Sequence, residues 1–178
     1  MAVSRYIELS ERIGDLHFRF VPELDPTGTY SDKDYDRMRA FRLLCHAEIE
    51  NFLERVAEDG INRVQPKLQA WRLMGQSSPL VFHVARFAVS EVANVIAKNH
   101  GLKRKNVERL FAAFGMTAGS FDGVWLSTME SYGTVRGGFA HSTQWSTQML
   151  DPQTELSLVY TQLLPHLERL EIAVAALN

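Results

Sequence analysis

The feature that most constrains the fold is a long stretch of helical periodicity over residues 32–59. Its apolar side chains recur every three or four positions, and this spacing lines one face of an α-helix. Ser31 and Asp34 resemble a capping box at its start, and Gly60 is expected to end it. At ~1.5 Å per residue the helix is roughly 40 Å long, which predicts the central helix of a bundle. The seam along its face is formed by Met38, Arg42, Cys45, Ile49, Phe52 and Val56, with Phe41 and Leu53 beside it.

The same periodicity predicts helices in the rest of the chain. They are expected over residues 4–20, 67–74, 79–98, 106–114, 124–132 and 153–177. Pro66 is expected to start the second of these, and Pro165 to kink or divide the last. Arg42, the only polar member of the seam, is expected to reach the surface. Because no stretch alternates with period two, we predict an all-α fold with one domain over residues 1–178, an antiparallel helical bundle with a long second helix.

The composition is that of a folded chain. With 178 residues, 46% of them hydrophobic, the chain is long enough for one domain with a sizeable core. Its one cysteine, Cys45, excludes an intramolecular disulfide and a cysteine-based metal site. The apolar runs are too short to span a membrane and charges interrupt the N-terminal stretch, so we expect a cytoplasmic protein with no membrane partner. The net charge of −2 argues against a general electrostatic attraction to nucleic acid, but it leaves a local basic patch open.

The stretch Tyr-Gly-Thr-Val-Arg-Gly-Gly-Phe-Ala-His-Ser-Thr, residues 132–143, carries the candidate chemistry. Arg136 is a permanent cation that fits phosphate oxygens, and His141 can move protons near neutral pH. Positions five apart on an ideal helix differ in direction by about 140°, so the two would not share a face. Gly137 and Gly138 loosen that constraint, since glycine tolerates conformations that other residues avoid. The alternative interpretation is a helix end with an incidental histidine and a solvated arginine.

Two stretches resemble the HEPN superfamily. Arg136 and His141 with their four-residue spacer look like the Arg-x4-6-His motif of that superfamily. Residues 39–54 are similar to the second-helix pattern of its RiboL-PSP-HEPN branch, and the resemblance extends over roughly residues 35–175. It implies a HEPN-like bundle. The matching positions of the second helix are Ala47, Glu50, Phe52 and Leu53.

The resemblance implies a metal-independent endoribonuclease of a toxin–antitoxin or defence system, with RNA as substrate, no cofactor and a possible protein antitoxin. His141 would act as general base or acid, and Arg136 would stabilise charge on the phosphorane oxygens. The products would carry a 2′,3′-cyclic phosphate and a 5′-hydroxyl. Because one histidine cannot easily serve both ends of an in-line displacement, a homodimer is expected to supply a second pair.

Two residues are predicted to support the catalytic pair. Glu50 shares a helix face with His46, and a buried acid there would orient Arg136 or His141; the alternative is an intrahelical pair or a solvated face. Gly137 follows the arginine where many active HEPN proteins carry a polar residue. This departure favours a second interpretation, a non-catalytic HEPN-like dimer that binds RNA, a nucleotide or a protein.

A basic run follows residue 97, and we predict that Lys103, Arg104 and Lys105 bind the RNA backbone. The alternative is an ordinary solvated connection. No two histidines have the spacing of a zinc helix, so no metal is expected. Tryptophan side chains are more typical of a core or an interface than of base stacking, although Trp145 lies close to His141 in sequence.

Overall fold

The computed structural model describes residues 4–73, 78–141 and 150–176, except the side chains of residues 71–73 and 135–141. These residues form a helical bundle without a strand, which confirms the all-α class. The α-helices are α1 (Arg5–Phe20), α2 (Asp32–Leu73), α3 (Pro79–Ala97), α4 (Arg104–Phe111), α5 (Gly123–His141), α6 (Pro152–Ser157) and α7 (Leu164–Ala176). Short 3₁₀ turns are formed by Ala112–Phe114 and Ala118–Ser120, and a π-helical stretch, Leu158–Leu163, joins α6 to α7.

Helix α2 is longer than predicted: its 42 residues extend roughly 60 Å. The capping box is confirmed, because the Asp34 N–H donates to Ser31 Oγ and the Ser31 N–H donates to Asp34 Oδ2. The predicted end at Gly60 is wrong, and so is the separate helix starting at Pro66, since both residues lie inside α2. Pro66 cannot donate to the carbonyl of Asn62, but both residues are exposed, so water can take the place of that hydrogen bond.

Gly60 is required by packing rather than by helix termination. A Cβ atom at this position would lie 2.7 Å from Phe114 Cε1 and 3.0 Å from Val174 Cγ1. Glycine is therefore the residue that lets the 3₁₀ turn and α7 approach α2 this closely.

The seam predicted on α2 forms the centre of the hydrophobic core. Its apolar members are all buried, and they meet buried side chains from α1, α4, α5 and the C-terminal helices. Arg42 departs from the prediction, since it is only 5% exposed instead of reaching the surface. Its partner is Glu155 on α6, which the local sequence could not reveal.

Helix α1 is capped by a side chain from α7. The Glu171 carboxylate accepts hydrogen bonds from the backbone N–H groups of Arg5, at 2.8 Å, and Tyr6, at 3.0 Å. The Ser4 hydroxyl donates to the same carboxylate at 2.7 Å instead of capping the helix itself. A negative charge at this end also suits the helix dipole, so Glu171 fixes α1 against α7.

The C-terminal helix changes geometry just before Pro165. The N–H of Leu164 donates to the carbonyl of Val159, five residues earlier, so the helix is π-helical over Leu158–Leu163. Wider turns of this kind make room for a proline ring and its missing N–H. The predicted last helix is interrupted by this π-helical stretch just before Pro165, whereas Pro165 itself lies in the first turn of α7.

Helix α3 packs on α2 through Phe82 and Val92, and much of its remaining apolar surface is exposed. Leu80 is 74% exposed and Phe87 is 66% exposed. By length and composition alone α3 is the one described helix that qualifies as a membrane span, which is weak support for a membrane protein. The extensive hydrophobic core is instead built around α2.

Two glycine substitutions test the packing of α2. Gly60→Ala is expected to lower the free energy of unfolding by about 1–3 kcal/mol, because the added methyl group overpacks the contact with Phe114 and Val174. Gly14→Ala is the matched control in α1, where no atom lies within 4 Å of the added carbon. That change is expected to raise the free energy by up to about 1 kcal/mol through helix propensity. Urea unfolding measures both, and equal stabilisation by the two changes would contradict the packing role of Gly60.

Candidate functional site on α5

Helix α5 begins at a carboxylate cap. Asp122 Oδ1 accepts hydrogen bonds from the backbone N–H groups of Val124, at 2.8 Å, and Trp125, at 3.0 Å. The bond from Trp125 is the main reason that the pKa of Asp122 lies below its ordinary value. Trp125 itself is buried, as the sequence predicted for a core tryptophan. The start of α5 is therefore fixed both by the cap and by the core.

Helix α5 extends to His141, nine residues beyond its predicted end. Gly137 and Gly138 are part of the helix, so they do not loosen its geometry as expected. Consequently the α-carbons of Arg136 and His141 are separated by a rotation of about 140° around the helix axis. The side chains of these two residues, and all of Trp145, lie outside the described residues.

Tyr132 anchors α5 in the core one helical turn before residue 136. Its ring is fully buried and contacts two side chains of α2. Arg42 Cζ lies 4.5 Å from the ring centroid, and the His46 ring is stacked on it at 6.5 Å with an interplanar angle of 10°. The Tyr132 hydroxyl also donates to the backbone carbonyl of Arg42 at 3.3 Å. Burial raises the pKa of this hydroxyl well above its ordinary value, so Tyr132 stays neutral.

Arg42 is held by a buried ion pair. Its Nη1 lies 2.5 Å from Glu155 Oε1, and Glu155 is 3% exposed. Burial raises the pKa of the Glu155 carboxyl, and the attraction of Arg42 only partly opposes that rise. Arg42 Nε and Glu155 Oε2 have no hydrogen-bond partner among the described residues. Burial of this pair in an apolar core therefore carries a large desolvation free energy.

Glu50 binds the turn between α3 and α4. Its Oε1 accepts a hydrogen bond from the backbone N–H of Gly101, and its Oε2 lies 3.7 Å from His46 Nδ1. Gly101 has a φ of +97°, which side-chain-bearing residues rarely adopt. One interpretation of the sequence was an intrahelical pair of Glu50 with His46, and this contact is such a pair. The predicted contact of Glu50 with Arg136 or His141 stays a prediction.

The basic turn, residues 101–105, lies against α5. A Cβ atom at Gly133 would be 3.5 Å from Leu102 Cβ and 3.7 Å from the Leu102 backbone nitrogen. Lys103 and Lys105 are exposed beside this contact, whereas Arg104 Nε pairs with Glu108 Oε1 at 2.8 Å. Two parts of the chain that the sequence singled out separately are therefore neighbours.

Sequence reasoning missed the residues that hold this arrangement. In the sequence Tyr132 is only the first residue of the segment that carries the motif, and no pattern marks Glu155. The available signal was Arg42, a charged residue inside an apolar seam, because a buried charge requires a partner. Nothing local identifies that partner, which lies 113 residues away.

Metal and thiol chemistry receive no support from the described side chains. Among them, no three His, Cys, Asp or Glu residues form a group that could hold a metal ion. Cys45 is buried, and burial raises the pKa of its thiol, which therefore stays protonated and unreactive.

No family model, curated protein or solved structure matches the chain. The interpretation of the site therefore depends on its own residues and their geometry. The resemblance to the HEPN superfamily stays a prediction.

The cap of α5 has a testable pH dependence. Asp122→Ala is expected to lower Tm at pH 7 by roughly 2–4 °C, because two backbone N–H groups lose their acceptor. The pKa of Asp122 is lowered in the folded protein, so its stabilisation is present above the ordinary aspartate value of about 3.9 and is lost as the pH falls through the folded value. Thermal unfolding of both proteins at pH 7 and pH 3 should show the difference shrinking. Asp122→Asn keeps a capping oxygen without the charge and should lose less; an equal loss at both pH values would argue against the carboxylate cap.

Proposed function

We propose that the chain is a metal-independent endoribonuclease of the HEPN type, with Arg136 and His141 as its catalytic residues. The observation that carries this proposal is the contact of the basic turn with α5 at Gly133, one turn before Arg136. RNA phosphates bound by Lys103 and Lys105 would then lie near the helix that bears the motif. The overall negative charge is compatible with this function, because the cations needed are local.

The chemistry requires only Arg136, His141, a second copy of each from a dimer, and the RNA. His141 accepts the proton of a ribose 2′-hydroxyl, and the 2′-oxygen attacks the adjacent phosphorus. Arg136 stabilises the negative charge that develops on the phosphorane oxygens. The bond from phosphorus to the 5′-oxygen breaks, and a protonated histidine gives that oxygen its proton. The products are a 2′,3′-cyclic phosphate and a 5′-hydroxyl.

A homodimer supplies the second histidine. On a continuous α5 the positions of Arg136 and His141 differ by about 140° around the helix axis, which makes it difficult for one chain to bring both side chains to one phosphate. In a symmetric dimer the Arg136 and His141 residues of both copies can face one phosphate, so that one histidine acts as the base and the other as the acid. A monomer at the working concentration would count heavily against this part of the proposal.

The biological setting follows from the type of activity. An unregulated cytoplasmic ribonuclease is harmful to its own cell, which fits a toxin–antitoxin or defence system with a protein antitoxin.

A non-catalytic binding module is the second candidate, and Gly137 favours it. A polar residue at this position would add a side-chain donor or acceptor next to Arg136, and glycine provides none. Such a module would hold RNA, a nucleotide or a protein through the same surface without cleavage.

Cleavage of labelled total RNA and tRNA in the presence of EDTA tests the enzyme. Wild type is expected to cut and to leave cyclic-phosphate ends, while Arg136→Ala and His141→Ala are each expected to lose activity by about 100-fold or more. His83→Ala, which removes an exposed histidine of α3, is the matched control and should cut normally. No cutting by folded, dimeric wild-type protein would favour the binding module.

The basic turn predicts a change in the salt dependence of RNA binding. Replacing Lys103 and Lys105 together by alanine is expected to weaken binding and to reduce the slope of log K against log salt by roughly 1–2, because two phosphate contacts are lost. Replacing Lys33 and Lys67, two exposed lysines of α2, changes the net charge equally and serves as the control. Fluorescence anisotropy over a salt series measures the slope, and equal effects of the two double changes would argue against a local binding site.

A further inference from the structure

A buried set of polar contacts surrounds Tyr132. Glu155 on α6 holds Arg42 on α2, and the Arg42 guanidinium lies over the Tyr132 ring. The ring of His46 is stacked on Tyr132 as well, and His46 approaches Glu50, which binds the turn at Gly101. The contacts therefore run from α6 through α2 and α5 to the basic turn. We call these residues the Tyr132 cluster, namely Arg42, His46, Glu50, Tyr132 and Glu155.

Stability does not explain the charged part of this cluster. An ion pair in an apolar core gains attraction but loses the hydration of both groups, and apolar replacements of similar volume are often neutral or stabilising. Arg42 and Glu155 also each leave one buried polar atom without a partner among the described residues. A planar guanidinium over a ring does, however, restrict where that ring can lie.

The restricted ring sits at a particular place on α5. Residue 136 follows Tyr132 by one turn and about 6 Å of helix rise, and the helix then continues through Gly137 and Gly138. Two glycines in a row lower the intrinsic helix stability at this end of α5. Among the side chains of α5 that the structure describes, Tyr132 is the last buried one before them.

We propose that Arg42 and Glu155 are positioning residues: through Tyr132 they fix the last turns of α5 and so the placement of Arg136 and His141. Their role in catalysis rests on the proposed ribonuclease function. Their role in ordering residues 136–141 does not, and it can be measured in the absence of RNA.

The central variant is the double change Arg42→Met with Glu155→Leu, which replaces the ion pair by apolar side chains. We expect its urea midpoint to equal or exceed that of wild type. We expect hydrogen–deuterium exchange of the amides of residues 136–141 to become about tenfold faster, because the anchor of this local segment is weakened. We expect kcat for RNA cleavage to fall by about 100-fold with KM unchanged, since small displacements of catalytic groups have effects of this size.

The matched control replaces a solvent-accessible ion pair that joins α1 to α2. Arg12→Met with Glu48→Leu removes the contact of Arg12 Nε with Glu48 Oε1 at 2.9 Å, and it should leave exchange and kcat unchanged. Tyr132→Phe keeps the ring in contact with Arg42 and His46 and should retain wild-type exchange, whereas Tyr132→Leu should not. These two variants decide the question if the double variant does not fold.

Wild-type exchange of residues 136–141 in the double variant, or in Tyr132→Leu, would overturn the proposal. It would also be overturned if exchange accelerated only in proportion to a loss of global stability, because the cluster would then be structural. If wild-type protein does not cleave RNA, the proposed ribonuclease function is wrong. The positioning role is then tested by the hydrogen–deuterium exchange of residues 136–141 alone.

Discussion

Burial of one face of α2 is the constraint on which the other helices depend. The seam from Met38 to Val56 is covered by α1, by α5 and by the C-terminal helices, and each of these contributes apolar side chains to the same core. Because the seam is continuous, every helix that packs on it is positioned relative to the others through α2. Over residues 61–70 the side chains of α2 are partly or largely exposed, and this part of the helix contacts α3 rather than the main core.

Polar groups inside this core specify orientation where apolar packing alone does not. Apolar side chains attract without direction, so several rotations of α5 could bury a similar area. The guanidinium of Arg42 and the ring of His46 both contact the Tyr132 ring, and these contacts favour particular rotations of α5. At Gly133 the helix lies close to Leu102 and His46, within van der Waals distance of an added Cβ atom.

Features governed by neighbouring residues could be predicted from the sequence, and those governed by distant contacts could not. The seam and the capping box of Ser31 and Asp34 depend on helix geometry within a few residues. Gly60 and Pro66 follow the usual rules for helix ends, yet α2 continues through both, and Gly60 is instead needed where Phe114 approaches the helix. The motif on α5 was found from its residue types, whereas its anchor and its contact with the basic turn depend on residues far away in the chain.

The cap of α1 has a consequence for the order of folding during protein synthesis. Arg5 and Glu171 are separated by 166 residues, so the first-turn N–H groups of α1 acquire their carboxylate only when α7 has left the ribosome. At roughly 5–20 residues per second this delay is on the order of ten to thirty seconds. Helix α1 is thus synthesised first among the described helices, yet it is among the last to complete its native contacts.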